Sequence, residues 1–170
     1  PPELSSTLYM DWVRQDTHGP APLPGHGHTA TLLGATHKKS KLVVCGGQGE
    51  DNDMLGETHI LELGTWTWRH VQTNGPDTVK PPRRAFHTAT AIEANRILLF
   101  GGATKRNDTE ELYFNDTWLF VDEDRRWSEV EVAGTAPERR GAHTACLLES
   151  SGRRTVAIFG GTNGQEPFDD

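Results

Sequence analysis

Eight histidines, several paired arginines and two cysteines are the side chains of this 170-residue chain that could carry chemistry. Histidine ligates metals and moves protons near neutral pH. Adjacent arginines can clamp a carboxylate or a phosphate, and a thiolate can attack or ligate. His26 and His28 stand two apart and on a strand would face one side, half of a metal site. No carboxylate or cysteine stands at clear ligand spacing from them, and no metal is expected. The acidic run Glu50, Asp51, Asn52, Asp53 lacks the spaced carboxylates and glycine of a calcium loop and reads as a solvated loop. No Gly-x-Ser-x-Gly, His-Glu-x-x-His or dinucleotide fingerprint occurs, so no catalytic residue and no cofactor is expected. Cys45 and Cys146 fall in different segments, which argues against a disulfide, suits a reducing compartment and reads as two buried, inert thiols.

The elements that would position these groups repeat. His28-Thr-Ala-Thr31, His87-Thr-Ala-Thr90 and His143-Thr-Ala-Cys146 each precede an apolar run ending in two glycines: Gly46-Gly47, Gly101-Gly102 and Gly160-Gly161. The histidines are 59 and then 56 residues apart, and Trp68 and Trp127 are separated by 59. Glu57 precedes Trp68 by 11 residues, as Asp116 precedes Trp127. Trp12 precedes Pro22 by ten residues, as Trp127 precedes Pro137, so Trp12 reads as the outer strand of a preceding unit. A fixed period of this length marks a repeat architecture. Leu42–Cys45, Ile97–Phe100 and Val156–Phe159 are short apolar runs bounded by turn residues, the pattern of strands buried on both faces. Third strands are expected from Ile60 and from Trp118, and fourth strands over Trp68–Val71 and Trp127–Val132. No segment shows a helical period, and 18 glycines and 10 prolines punctuate the chain between strands.

In the order of these motifs, with Pro81, Pro82, Arg83 and Arg84 before a small-residue strand, a Gly-Gly at the end of the second strand and a spaced tryptophan in the fourth, the chain resembles the kelch repeat family. The resemblance implies an all-β fold, a kelch-type β-propeller segment of four-stranded antiparallel blades. The expected organisation is an outer strand of a preceding blade and a linker over 1–21, blades over 22–80 and 81–136, and the first half of a further blade over 137–170. A propeller needs about four to eight blades to close. The segment is therefore expected to be incomplete as it stands, with the remaining blades supplied by further chain or by another molecule.

Repetition sorts frame from function. What every repeat carries should serve the blade. The glycine pairs are backbone devices. Trp12, Trp68 and Trp127 pack between blades with each indole N–H on a backbone acceptor, and His28, His87 and His143 are structural hydrogen-bonding groups. Function should lie where repeats differ. In a blade, the loop leading into the first strand and the loop between second and third strands emerge on one face, which in kelch propellers commonly binds partner peptides. Here the second-to-third loops are acidic: residues 48–57 carry −4, 103–116 carry −2 and 162–170 carry −3. The lead-in loops bring Lys80, Arg83, Arg84, Arg139 and Arg140. Arg84 and Arg140 hold equivalent positions. They either pair with acidic groups of neighbouring blades or form a fork for a partner's carboxylate or phosphate. The first repeat departs, with Gly25 at the arginine position and His59 where the next repeat has Trp118. Candidate partner-binding residues are Arg83, Arg84, Arg139, Arg140, Glu50, Asp51 and Asp53, with the exposed aromatics Tyr113 and Phe114 as anchors.

A net charge of −7 argues against nonspecific nucleic-acid binding, and no apolar run approaches the ~18 residues of a membrane span. The expectation is a noncatalytic scaffold, cytoplasmic or nuclear, that displays loops to a protein or peptide partner. The alternatives are the regulatory or targeting propeller of a larger enzyme, such as a phosphatase or a ubiquitin-ligase adaptor, and a metal-assisted kelch enzyme using residues outside this segment.

Overall fold

The structure, a computed structural model, describes residues 11–34, 39–72, 79–107 and 110–170. Tyr9, Asp108 and the first half of the 1–21 segment lie outside the described residues. The first sheet is a four-stranded antiparallel meander, β1 (Thr29–Leu33), β2 (Lys41–Cys45), β3 (Thr58–Glu62) and β4 (Thr67–His70), each strand paired with the next. The second sheet repeats it with β5 (Thr88–Glu93) and β6 (Arg96–Phe100), a short hairpin of β7 (Ala103–Lys105) and β8 (Glu111–Tyr113), then β9 (Thr117–Val121) and β10 (Arg126–Glu129). A third sheet has two strands, β11 (Thr144–Ser150) and β12 (Arg153–Phe159). Among the described residues, the one helical element in the strand order is the single 3-10 turn Glu50–Asn52. The fold is the expected all-β stack of blades. The third strands begin at Thr58 and Thr117, slightly earlier than expected, and the second fourth strand ends at Glu129, leaving Val132 exposed.

The sheets pack face to face, and one continuous core fills the space between the first two. Leu33, Val43, Cys45, Ile60 and Val71 of the first blade meet Ile97, Leu99, Trp118, Phe120 and Trp127 of the second. Alternation explains the division: residues two apart on a strand share a face, so each blade sends one set of side chains to each neighbour. Burial of a side chain such as Phe120 or Ile97 contributes about 1.5–3 kcal/mol, so the blades hold one another.

That logic accounts for three departures from expectation. Val156–Phe159 has a blade on one face only. Val156, Ala157 and Ile158 are half-buried and Phe159 is exposed, not buried on both faces. Cys146 is exposed, because it occupies the place of Thr31 and Thr90 on the side of β11 turned away from the second blade, whereas Cys45 is buried as expected. Trp12 is fully exposed and residues 11–17 form no strand. An outer strand needs a third strand to pair with, and none of the described residues offers one. The chain reaches the first blade at His18, which bonds the outer strand through His18 N–H to Trp66 O and Trp68 N–H to His18 O.

Candidate interaction face

The double glycines decide how closely successive blades approach. All six have positive φ, and a Cβ on Gly46 or Gly101 would lie 2.5 or 2.7 Å from the carbonyl oxygen of Arg84 or Arg140 in the next blade's lead-in loop. Gly47 N–H donates to Arg84 O and Gly102 N–H to Arg140 O, both at 2.8 Å. Each lead-in loop also bridges the second-to-third loop of its own blade, His26 with Gln48, Ala85 with Ala103 and Gly141 with Thr162. The two kinds of loop therefore share one face.

The paired arginines have divided roles. Arg84 and Arg140 are 1% exposed. Arg84 donates to both carboxylate oxygens of Asp116 at 2.6 and 2.7 Å and to Gly101 O and Pro82 O, and its guanidinium lies 4.2 Å over the Phe114 ring. Arg140 repeats this with Asp170, Gly160 O, Glu138 O and the Phe168 ring. Burial opposes the Asp116 charge, but hydrogen bonds from Arg84 and Trp118 and the nearby guanidinium overcome it and hold the carboxyl below its ordinary range. For Asp170 the hydrogen bond from Arg140 is the leading cause of the same depression. These two arginines are thus not a partner fork. Every guanidinium nitrogen has a partner within the blade, and the carboxylates belong to their own blade, not to a neighbouring one.

Arg83 and Arg139, one residue earlier, are exposed. Each reaches back to the preceding blade, Arg83 to Met54 O and Arg139 to Tyr113 O, both at 3.3 Å, and each keeps further donors for other acceptors. Tyr113 and Phe114 are half-buried, not free anchors. Tyr113 lies against Gly141 and Gly164 of the third blade and donates to Glu111 at 2.6 Å. Burial first and then Glu111 push its pKa up to about 12. The exposed apolar side chain of this hairpin is Leu112, which sequence reasoning missed. The signal was the alternation of β8, where an inward Tyr113 turns Leu112 outward. Leu112, Tyr113, Asn163 and Gln165 line two adjoining recesses of about 490 and 560 Å3, the first flanked by Lys105 and Arg106 with Glu110 and Glu111, the second by Arg139 with Glu111 and Glu138. Glu50, Asp51 and Asp53 are exposed on the first blade's loop, where the 3-10 turn holds Asp51 at φ 54°.

The repeat histidines bind one blade to the next. His87 Nε2 lies 3.1 Å from Thr29 Oγ1, and His143 Nε2 lies 2.8 Å from Thr88 Oγ1. Burial is the main cause lowering His87 to about 3 and His143 to about 4, helped by Arg84 and Arg140 respectively, so both rings are neutral. Cys45 Sγ sits beside Thr29 and His87, and burial raises it to about 11, as for an unreactive thiol. His28 is exposed on the first blade's outer face. Trp127 donates its indole N–H to Thr58 Oγ1 of the first blade, a side-chain acceptor rather than the expected backbone one, while Trp68 is only half-buried.

His26 and His28 are not brought together with a carboxylate among the described residues. Glu57, His59 and His70 are. Burial first and then His70 lower the His59 pKa, against the raising effect of Glu57.

Repeated four-stranded blades joined by Gly-Gly close approaches define a kelch-type propeller segment. Its loop face is the surface on which the repeats differ. The chain belongs to the kelch-repeat family: the model of the KLHDC2/KLHL20/DRC7 Kelch-repeats domain matches residues 4–170. It is 35% identical to the dynein alpha chain of the flagellar outer arm of Chlamydomonas reinhardtii over 90% of this chain and 3% of that protein. It is 31% identical to acyl-CoA-binding domain-containing protein 4 of Arabidopsis thaliana, over 91% of this chain and 21% of that protein. It is 29% identical to Kelch domain-containing protein 2 of Bos taurus, over 88% of this chain and 33% of that protein. The chain therefore spans a third or less of the length of these relatives. No helix among the described residues is long and apolar enough to cross a membrane.

Proposed function

We propose that this chain is a noncatalytic interaction module that binds a protein or peptide through the loops leading into each blade and those between second and third strands. The observation that carries this reading is the division of the arginine pairs. Arg84 and Arg140 are buried and engaged within their own blades, whereas Arg83 and Arg139 stand exposed on the same face beside loops that differ from blade to blade. The second recess at β7–β8 combines an apolar contact, Leu112, with Arg139 set between Glu111 and Glu138. That lining suits a peptide presenting an apolar side chain flanked by polar groups of both charges. Glu50, Asp51 and Asp53 on the first blade would select a basic residue farther along the partner.

A peptide library displayed on phage tests this with the full-length protein, wild type and the Leu112→Asp/Arg139→Glu variant. The expected result is an enriched peptide class with wild type that the folded variant no longer retains. Equal enrichment by the variant, or none by wild type, overturns the reading. A second reading, a targeting propeller within a larger protein, is favoured by the small share of each relative that the chain covers and by the acyl-CoA-binding domain in one relative's name. It uses the same face, with the partner positioning a domain elsewhere in the protein.

A further inference from the structure

The first blade lacks the cation that its neighbours bury. Position 25 is glycine where the others have Arg84 and Arg140, yet the carboxylate position is kept, as Glu57 in place of Asp116 and Asp170. An arginine cannot be restored at position 25 with the backbone as it stands: a Cβ on Gly25 would lie 2.5 Å from the Gln48 carbonyl oxygen. Glu57, His59 and Trp68 share the face of the first blade that no described sheet covers. The exchange is coordinated at two further positions. His59 replaces Trp118, whose indole N–H serves Asp116 in the second blade, and His70 replaces Glu129, which pairs across the strands with Trp118.

These three side chains meet for reasons of strand geometry. Glu57 and His59 are two apart and share a face of the sheet, and His59 is directly opposite His70 in the β3–β4 register. The imidazole centroids are 4.9 Å apart, and His59 Nε2 lies 3.8 Å from Glu57 Oε2. One ligand atom from each of the three lies within 4.8 Å of the others. His59 is buried, whereas Glu57 and His70 are exposed.

We propose that Glu57, His59 and His70 bind a divalent transition metal, zinc first, which gives the first blade the positive charge that Arg84 and Arg140 give the others. Two imidazoles and a carboxylate are a zinc donor set, and three protein ligands leave a fourth tetrahedral position to water. Donors about 2.0–2.2 Å from one ion stand roughly 3.3 Å apart, so small side-chain rotations close the site. The ion joins β3 to β4 and neutralises Glu57, as Arg84 neutralises Asp116.

The site is tested on full-length protein stripped with chelator and titrated with Zn2+ and with Co2+ alone, with no partner present. Its outcome is therefore independent of the loop-face reading. Wild type is expected to take up one tight equivalent, to give the visible absorption of tetrahedral Co2+, and to melt at higher temperature with zinc. His70→Gln, Glu57→Gln and His59→Trp are each expected to weaken binding by more than about tenfold, the loss that even outer-shell changes cause, and to abolish the thermal shift. His59→Trp installs the second blade's residue and guards against loss of fold, checked by circular dichroism. Absence of a stoichiometric site in wild type overturns the proposal. So does unchanged affinity in folded His70→Gln and Glu57→Gln, which would place the ion on other histidines.

Discussion

The first and second blades have the same four strands in the same order and solve the end of the sheet differently. In the second, an arginine from the lead-in loop sits over the Phe114 ring, grips Asp116 with two hydrogen bonds and closes on Gly101 O, and Trp118 adds a third donor to the carboxylate. In the first, Gly25 offers no side chain and its Cα lies close to the Gln48 carbonyl, and Glu57 faces two histidines instead of a guanidinium. The arginine and the carboxylate form one device. When the arginine goes, the residues around the carboxylate change with it.

The largest test of this comparison removes the device from one blade and its remnant from the other. Arg84→Met leaves Asp116 charged and partly buried and the Gly101 carbonyl unpaired, and should cost about 3–5 kcal/mol in urea unfolding. Glu57→Gln in metal-free protein should stay within about 0.5 kcal/mol, since no guanidinium depends on it.

Acid should loosen the joints between blades before it breaks the arginine pairs. His87 and His143 are lowered in the fold to about 3 and about 4 from 6.5. The unfolded chain therefore takes up their protons first as pH falls. Their contribution is fully present above about pH 6.5 and is lost progressively toward their folded values. From pH 7.5 to 5 the loss should be about 2 kcal/mol from each, at 1.36 kcal/mol per unit. In His87→Gln the fall in unfolding free energy over that interval should shrink by about that amount. An undiminished fall would mean that His87 is not the group being protonated. The smallest effect concerns an outer tryptophan. Trp127→Phe gives up the hydrogen bond to Thr58 and leaves a gap beside Phe120, about 1–2 kcal/mol. Trp127→Phe is checked by urea unfolding, and a loss below about 0.5 kcal/mol would mean that the indole does not join the blades.

The repeat was legible because its signals are local: glycine pairs that need positive φ, apolar runs of strand length, and tryptophans in register. The strand order and a structural hydrogen-bonding role for His87 and His143 followed from it; that the bonds run to the neighbouring blade did not. Misjudged positions were those decided by what lies across a face. Phe159 and Cys146 have the sequence context of their buried counterparts and are exposed because no described sheet covers them. Arg84 could not be sorted from Arg83 by spacing. One points into the sheet end and the other out, a matter of side-chain direction in a loop without strand periodicity. Leu112 went unseen because β8 is only three residues long. The meeting of Glu57, His59 and His70 required the β3–β4 register, which the loop over 63–66 sets and which composition does not reveal.

The central claim is that the lead-in arginine belongs to the frame and acts as one unit with the carboxylate of its own blade. A double-mutant cycle of Arg84→Met and Asp116→Asn in urea unfolding tests it most directly. The expected result is a coupling of roughly 1–3 kcal/mol, with the double variant clearly more stable than the sum of the single losses. Additivity within about 0.5 kcal/mol would contradict it and return Arg84 to the surface that meets partners.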